Sequence, residues 1–95
     1  MSIKLFRLQT GEQVVAEVLG ISETATIVKN PIALVPDQEG NVSFLPWAPM
    51  AEKDVEVEVY SRNIVYVTTP AEELQKNYEE IFSPIITPGK KGLIL

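Results

Sequence analysis

Apolar and polar residues alternate with a period of two over much of the chain, a pattern typical of strands with one buried face. The clearest case is residues 55–60, Val-Glu-Val-Glu-Val-Tyr, in which valines and glutamates fall on opposite sides of an extended chain. Other runs rich in β-branched residues predict strands at 3–9, 12–20, 26–29, 32–35 and 64–67. Thr10-Gly11 predicts a hairpin turn between the first two strands, because glycine adopts positive φ without steric cost.

Two further segments depart from simple alternation because they contain prolines. Pro31 lacks a backbone donor and predicts an interruption between the runs at 26–29 and 32–35. Residues 42–51 are strongly apolar but carry Pro46 and Pro49, which excludes a central strand and predicts a kinked edge segment. Its exposed apolar side chains would suit a subunit contact.

The last third of the chain changes to a helical pattern. Thr69-Pro70-Ala71-Glu72 has the composition of a capping box with proline at the first helical position. Apolar residues then recur at helical spacing, at Leu74, Tyr78, Ile81 and Phe82. We therefore predict a β-domain over 1–68, a helix over 69–83 packed on the same domain, and an extended tail over 84–95.

Composition limits the chemistry that the chain can perform. The 95 residues contain no cysteine and no histidine, so a disulfide framework, the usual general base and the commonest metal ligand are missing. We recognise no glycine-rich phosphate loop and no nucleophile motif. The sequence therefore predicts a protein that is not an enzyme, with no catalytic residues, no cofactor and no metal.

Charge and hydropathy add two expectations. The net charge of −5 disfavours a general affinity for polyanions, and no apolar run is long enough to predict a membrane span. Glu52, Asp54, Glu56 and Glu58 form an acidic run. This run could bind a hard cation, but without a calcium-loop signature a solvated face that keeps an edge strand soluble is favoured.

Two motifs resemble the signatures of the Sm and Sm-like proteins. Residues 8–21, Leu-Gln-Thr-Gly-Glu-Gln-Val-Val-Ala-Glu-Val-Leu-Gly-Ile, look like the first signature, and residues 59–67, Val-Tyr-Ser-Arg-Asn-Ile-Val-Tyr-Val, look like the second. The resemblance covers about residues 3–68 and is nearest to Sm-like proteins encoded by phages of marine cyanobacteria. It implies an all-β fold, a small SH3-type barrel made of a bent five-stranded sheet. The predicted C-terminal helix would be an addition to that barrel.

The resemblance also implies a closed ring of identical subunits. In Sm-like proteins the fourth strand of one subunit pairs with the fifth strand of its neighbour, which here would join 55–60 to 64–67. We expect about five to seven subunits, since small changes in the rotation between subunits alter the number that closes the ring. The predicted interface residues are Phe44, Trp47, Val57, Val59, Val65 and Val67. Trp47 could instead be a platform for a ligand, although subunit packing is favoured.

Two loops carry the RNA contacts in Sm-like proteins, and their positions align with Ser22, Ala25 and Thr26 and with Tyr60 and Ser61. The family's Asp, Asn and Arg-Gly identities are not kept. Tyr60 could stack on a base, and Arg62 or Asn63 could reach a phosphate or a base edge. The candidate RNA-binding residues are Ala25, Thr26, Tyr60, Ser61, Arg62 and Asn63.

The resemblance implies a ring-forming module that binds single-stranded RNA in RNA processing or regulation. The alternative is a protein–protein adaptor or structural ring with no nucleic-acid role, which the acidic charge and the lost family residues favour. Either protein would be cytoplasmic, and in the host cytoplasm if the chain is encoded by a phage.

Overall fold

A computed structural model describes residues 2–52 and 54–82. These residues form one antiparallel sheet and a following helix. The elements are β1 (Ile3–Leu8), β2 (Gln13–Ile21), β3 (Ala25–Pro36), β4 (Val42–Pro46), β5 (Glu56–Tyr60), β6 (Ile64–Thr68) and α1 (Glu72–Phe82). The predicted β-fold with an added helix is confirmed, but the sheet has six strands rather than five. The predicted tail, 84–95, lies outside the described residues.

The sheet is organised around the long strand β3. Strands follow the order β4-β3-β2-β1-β6, so the last strand pairs with the first. The edge of β3 opposite β2 is shared by two strands, with β5 along residues 25–29 and β4 along residues 32–36. The predicted strand at 55–60 is confirmed as β5, and the first part of the predicted edge segment 42–51 forms the additional strand β4. Residues 47–52, 54 and 55 lie between these two strands and outside the sheet.

A β-bulge at Asn30-Pro31 lies between the part of β3 that pairs with β5 and the part that pairs with β4. Val15 pairs with Ile32 and Glu17 with Lys29, so β3 uses three steps where β2 uses two. Asn30 has a φ of 52°, a left-handed conformation that asparagine tolerates better than most residues. The sequence predicts an interruption here, whereas the structure shows one continuous strand. After the bulge, the alternation of side chains between the two faces of the sheet is shifted by one residue.

The change of face gives the domain two hydrophobic clusters, one on each side of the sheet. The barrel core lies on the concave side and contains Phe6, Leu8, Val14, Ala16, Val28 and Val59. The helix core lies between the sheet and α1 and contains Ile3, Val15, Ile32 and Tyr78. Without the bulge, Val28 and Ile32 would fall on the same face, because they are an even number of residues apart.

Tyr78 connects α1 to the bulge. Its hydroxyl lies 2.9 Å from the carbonyl oxygen of Asn30 and 3.2 Å from that of Lys29, and donates towards both. Its ring centroid is 4.9 Å from that of Phe82. Burial raises the pKa of Tyr78 to about 12, so the hydroxyl stays protonated as the hydrogen bonds require.

The helix begins later than the sequence predicts. It starts at Glu72. The hydroxyl of Thr69 accepts a hydrogen bond, 3.2 Å long, from the Nζ atom of Lys4 on β1. The side chain of Gln75, in the first turn of the helix, donates a hydrogen bond to the carbonyl of Pro70 at 3.0 Å. The expected capping role of Thr69 is therefore wrong, because the first backbone hydrogen bond of the helix runs from Gln75 to Ala71, two residues after Thr69. The predicted last residue of the helix, Ser83, lies outside the described residues.

Candidate functional site

The fold brings together the two loops that the sequence singles out. One is the connection of residues 22–24 between β2 and β3, and the other is a 3₁₀ turn, Ser61–Asn63, between β5 and β6. The backbone N–H of Ser61 donates to the carbonyl of Thr24 at 2.8 Å. This hydrogen bond holds the loops side by side, although they lie far apart in the sequence.

The second loop presents the exposed part of the candidate site. Tyr60, Ser61, Arg62 and Asn63 are all exposed, with 45% of Tyr60 accessible to solvent. The guanidinium carbon of Arg62 lies 5.4 Å from the centroid of the Tyr60 ring, within the range of a cation–π interaction. The loop therefore offers an aromatic face and a positive charge next to each other.

Ala25 and Thr26 have a different position from the one expected for contact residues. They are only 4% and 7% exposed, and they begin β3 rather than lying in the loop. Across the sheet they pair with Tyr60 and Val59. Both residues are therefore largely buried, and they can affect a ligand mainly by fixing the end of β5.

A cavity of about 310 Å³ lies beside Tyr60, between the β1–β2 turn and the end of β5. We call it the aromatic–acidic cavity, because its walls include Trp47, Tyr60, Glu12 and Glu58. The indole Nε1 of Trp47 donates to Glu12 Oε1 at 3.3 Å, and the hydroxyl of Tyr60 donates to Glu58 Oε1 at 3.4 Å. Alternation along β5 already places Glu58 and Tyr60 on one face. No local pattern joins Trp47 to Glu12, so sequence reasoning missed this cavity.

A second notable feature is an open seam along the outer edges of β5 and β6. Within residues 2–52 and 54–82, β5 pairs only with β3 and β6 only with β1. A groove of about 450 Å³ runs beside β6, with Val18, Thr26 and Ile64 among its lining residues. Each of these two strands therefore has backbone donors and acceptors that no strand in the described part of the chain satisfies.

Val67 shows that the seam exposes a position of core type. It pairs with Phe6, and paired residues in an antiparallel sheet face the same side. Phe6 is 1% exposed in the barrel core, whereas Val67 is 46% exposed, because no strand covers it across the seam.

The six predicted interface residues divide into two groups. Val65 and Val67 lie exposed on β6 at the seam. The others pack within the subunit: Val59 is buried in the barrel core, Val57 and Trp47 pack against that core, and Phe44 packs against the helix core. The exposed pair is thus the part of the predicted interface that a second subunit could contact directly.

The acidic run is exposed and dispersed. Glu52, Asp54, Glu56 and Glu58 all face solvent, and the described residues contain no group of three or more acidic side chains placed to hold a metal ion. As for membranes, no helix in the described part of the chain has the length and apolar character needed to cross a bilayer.

Comparison with known proteins assigns no family to the chain. No protein-family model matches the sequence, and no curated protein matches it. The function is therefore argued from two features, the exposed Tyr60–Arg62 pair where the loops meet and the open seam along β5 and β6.

Proposed function

We propose that the chain is an Sm-like, ring-forming module that binds single-stranded RNA. The observation that carries this proposal is the hydrogen bond from Ser61 to Thr24, at 2.8 Å. It joins the two loops that correspond, through the sequence resemblance, to the RNA-contacting loops of Sm-like proteins. An exposed aromatic ring and a guanidinium lie directly beside this junction.

RNA binding would depend on stacking more than on base-specific hydrogen bonds. Stacking of one base on an aromatic side chain contributes ~1–3 kcal/mol and tolerates different bases. Tyr60 offers such a face, and Arg62 offers a positive charge for a phosphate. A ring repeats this pair once per subunit, so weak contacts along one strand of RNA would add up.

Ring assembly would follow from the open seam. β5 and β6 are strands of five residues each, so one can pair along the full length of the other. If β5 of one subunit paired with β6 of the next, their backbone groups would be satisfied and Val67 would be covered. Repetition around a closed ring would leave no seam open in any subunit.

Electrostatics opposes the proposed RNA binding and sets the conditions for testing it. Each chain carries a net charge of −5, and the charge of a ring grows with every subunit. Long-range repulsion of RNA would therefore have to be outweighed locally, by Arg62 and by stacking on Tyr60. Arg62→Ala should remove the positive contribution at the site itself.

The proposal can be tested by native mass spectrometry with a short oligouridine at low ionic strength. We expect a closed ring that carries RNA, and we expect the double variant Tyr60→Ala, Arg62→Ala to keep the ring but lose the RNA. Lys76→Ala is the matched control, because it removes an exposed positive charge on α1, away from the junction. RNA binding that is equally strong in the double variant would contradict the proposed site.

A second candidate function, a protein–protein adaptor, is favoured by the carboxylates beside Tyr60. Glu58 contacts the Tyr60 hydroxyl, and Glu12 lies in the same cavity, so this surface disfavours phosphates. A closed ring that binds no oligouridine even at low ionic strength would favour the adaptor. RNA binding that weakens steeply with added salt would count against it.

A further inference from the structure

We propose that the aromatic–acidic cavity binds the guanidinium group of an arginine side chain presented by a partner protein. The inference rests on the cavity itself and is independent of whether the chain binds RNA. Its elements are two carboxylates, two aromatic side chains and an apolar wall, all within one space of about 310 Å³.

The charge of the cavity selects a cation. Glu12 and Glu58 line it, and among the described residues no lysine or arginine does. Among the described residues, Thr10 and Trp47 donate hydrogen bonds to Oε1 of Glu12. Tyr60 donates to Oε1 of Glu58. The Oε2 atoms are thus available as acceptors. Two negatively charged acceptor groups favour a ligand that carries both a positive charge and several N–H donors.

The aromatic side chains narrow the class of cation. Trp47 is held in place by its packing on the barrel core, and Tyr60 already lies 5.4 Å from the Arg62 guanidinium. A guanidinium is planar, stacks on aromatic faces and presents five donors in a fixed arrangement. A quaternary ammonium group could use the rings but could not donate to the carboxylates. The combination therefore favours arginine.

The size and lining of the cavity suit a side chain rather than a bare ion. Its volume equals the liquid volume of about ten water molecules. Leu8 and Val59 add apolar surface to the walls, which the methylene groups of an arginine could cover. A side chain entering from a partner would place its charge between the carboxylates and its stem against this surface.

The single tryptophan of the chain allows a direct test by NMR. The indole N–H signal of Trp47 would be followed during titration with N-acetyl-arginine amide, which mimics an arginine within a protein. We expect a saturable shift. The neutral isostere N-acetyl-citrulline amide should give none at equal concentration. Equal shifts with both compounds, or no saturation at tens of millimolar, would overturn the proposal.

Variants and a second ligand make the test specific to the cavity. Glu12→Gln and Glu58→Gln should each weaken binding roughly two- to fivefold, and together about tenfold. Glu56→Gln, which removes an exposed charge from the same strand but lies outside the cavity, should have little effect. An equal loss in all three single variants would overturn the proposed site.

Free arginine distinguishes the source of the guanidinium. Its α-ammonium and α-carboxylate have opposite effects near Glu12 and Glu58 and largely cancel, so it should bind no more tightly than the blocked compound. Tighter binding of free arginine would assign the cavity to the amino acid and refute a protein partner. The double glutamine variant should still bind oligouridine if the RNA proposal is correct, so the two proposals can fail separately.

Discussion

Tyr78 is a single side chain on which the packing of α1 and the conformation of β3 both depend. Its hydroxyl donates towards the carbonyls of Lys29 and Asn30, which flank the point where β3 changes face. A buried carbonyl without a partner costs roughly 1–3 kcal/mol. The hydrogen bonds of Tyr78 therefore make the bulge compatible with a dry, helix-covered face of the sheet.

We expect Tyr78→Phe to lower the free energy of unfolding by about 1–2 kcal/mol at neutral pH, because two partly buried carbonyls lose the hydroxyl that donates towards them. The wild-type advantage should then disappear at high pH. Burial raises the pKa of folded Tyr78 to about 12, whereas an unfolded tyrosine titrates near 10.0. The stabilisation is fully present below about pH 10 and is lost as the pH rises towards about 12.

Urea denaturation of both proteins between neutral pH and about pH 12 would measure this effect. The difference between wild type and variant isolates Tyr78, because every other ionisable group is the same in both proteins. A difference that stays constant over the whole range would contradict the burial of this hydroxyl.

At the scale of elements, local patterns predict most strands, but not how they are arranged around the bulge. Alternation identifies β1, β2, β5 and β6, and helical spacing identifies α1, because these signals depend only on neighbouring residues. Asn30 is left-handed, and its carbonyl accepts a hydrogen bond from Tyr78, which is far away in the sequence. The edge segment and the strand at 55–60 could be predicted from local patterns, but not their pairing with β3 on either side of the bulge.

The same reasoning explains which parts of the site could be predicted. Tyr60 and Arg62 are identified by a motif and lie at the surface as expected. Ala25 and Thr26 align with contact positions, yet pairing with β5 draws them into the sheet. The contact between Trp47 and Glu12 arises only because the chain leaves the sheet after β4, at Trp47, so it has no sequence signal.

The bulge requires residue 30 to adopt a left-handed backbone conformation. Asn30→Gly should leave the free energy of unfolding within about 0.5 kcal/mol of wild type, whereas Asn30→Ala should lower it by about 1 kcal/mol. Glycine adopts a φ of 52° freely, and alanine does not. Asn77→Ala, at an exposed position in α1, is the matched control and should be neutral or slightly stabilising. Equal losses for Ala and Gly at residue 30 would argue against a left-handed conformation there.

At the scale of the whole molecule, the described part of the bent sheet has two strands, β5 and β6, that are each paired on one side only. Pairing of β6 with β1 completes the curve, while the outer edges of β5 and β6 have no partner in the described part of the chain. Val65 is 60% exposed on β6, and Val67 is 46% exposed although it faces the same side as the buried Phe6. In the proposed ring, a single contact between β5 and the β6 of a neighbour, repeated around an axis, would pair the free strand edges and cover the exposed valines.

The seam can be tested by placing a charge on it. Val67→Asp should shift the protein from a closed oligomer towards the 10.5 kDa monomer, because the new carboxylate would be desolvated beneath the β5 of a neighbour. Val35→Asp is the matched control, since Val35 is 42% exposed on β3, a strand that is paired on both sides. Light scattering after size-exclusion chromatography would give the masses, and circular dichroism would show that each variant is folded. A wild-type monomer at micromolar concentration, or an oligomer unchanged by Val67→Asp but disrupted by Val35→Asp, would refute assembly through this seam.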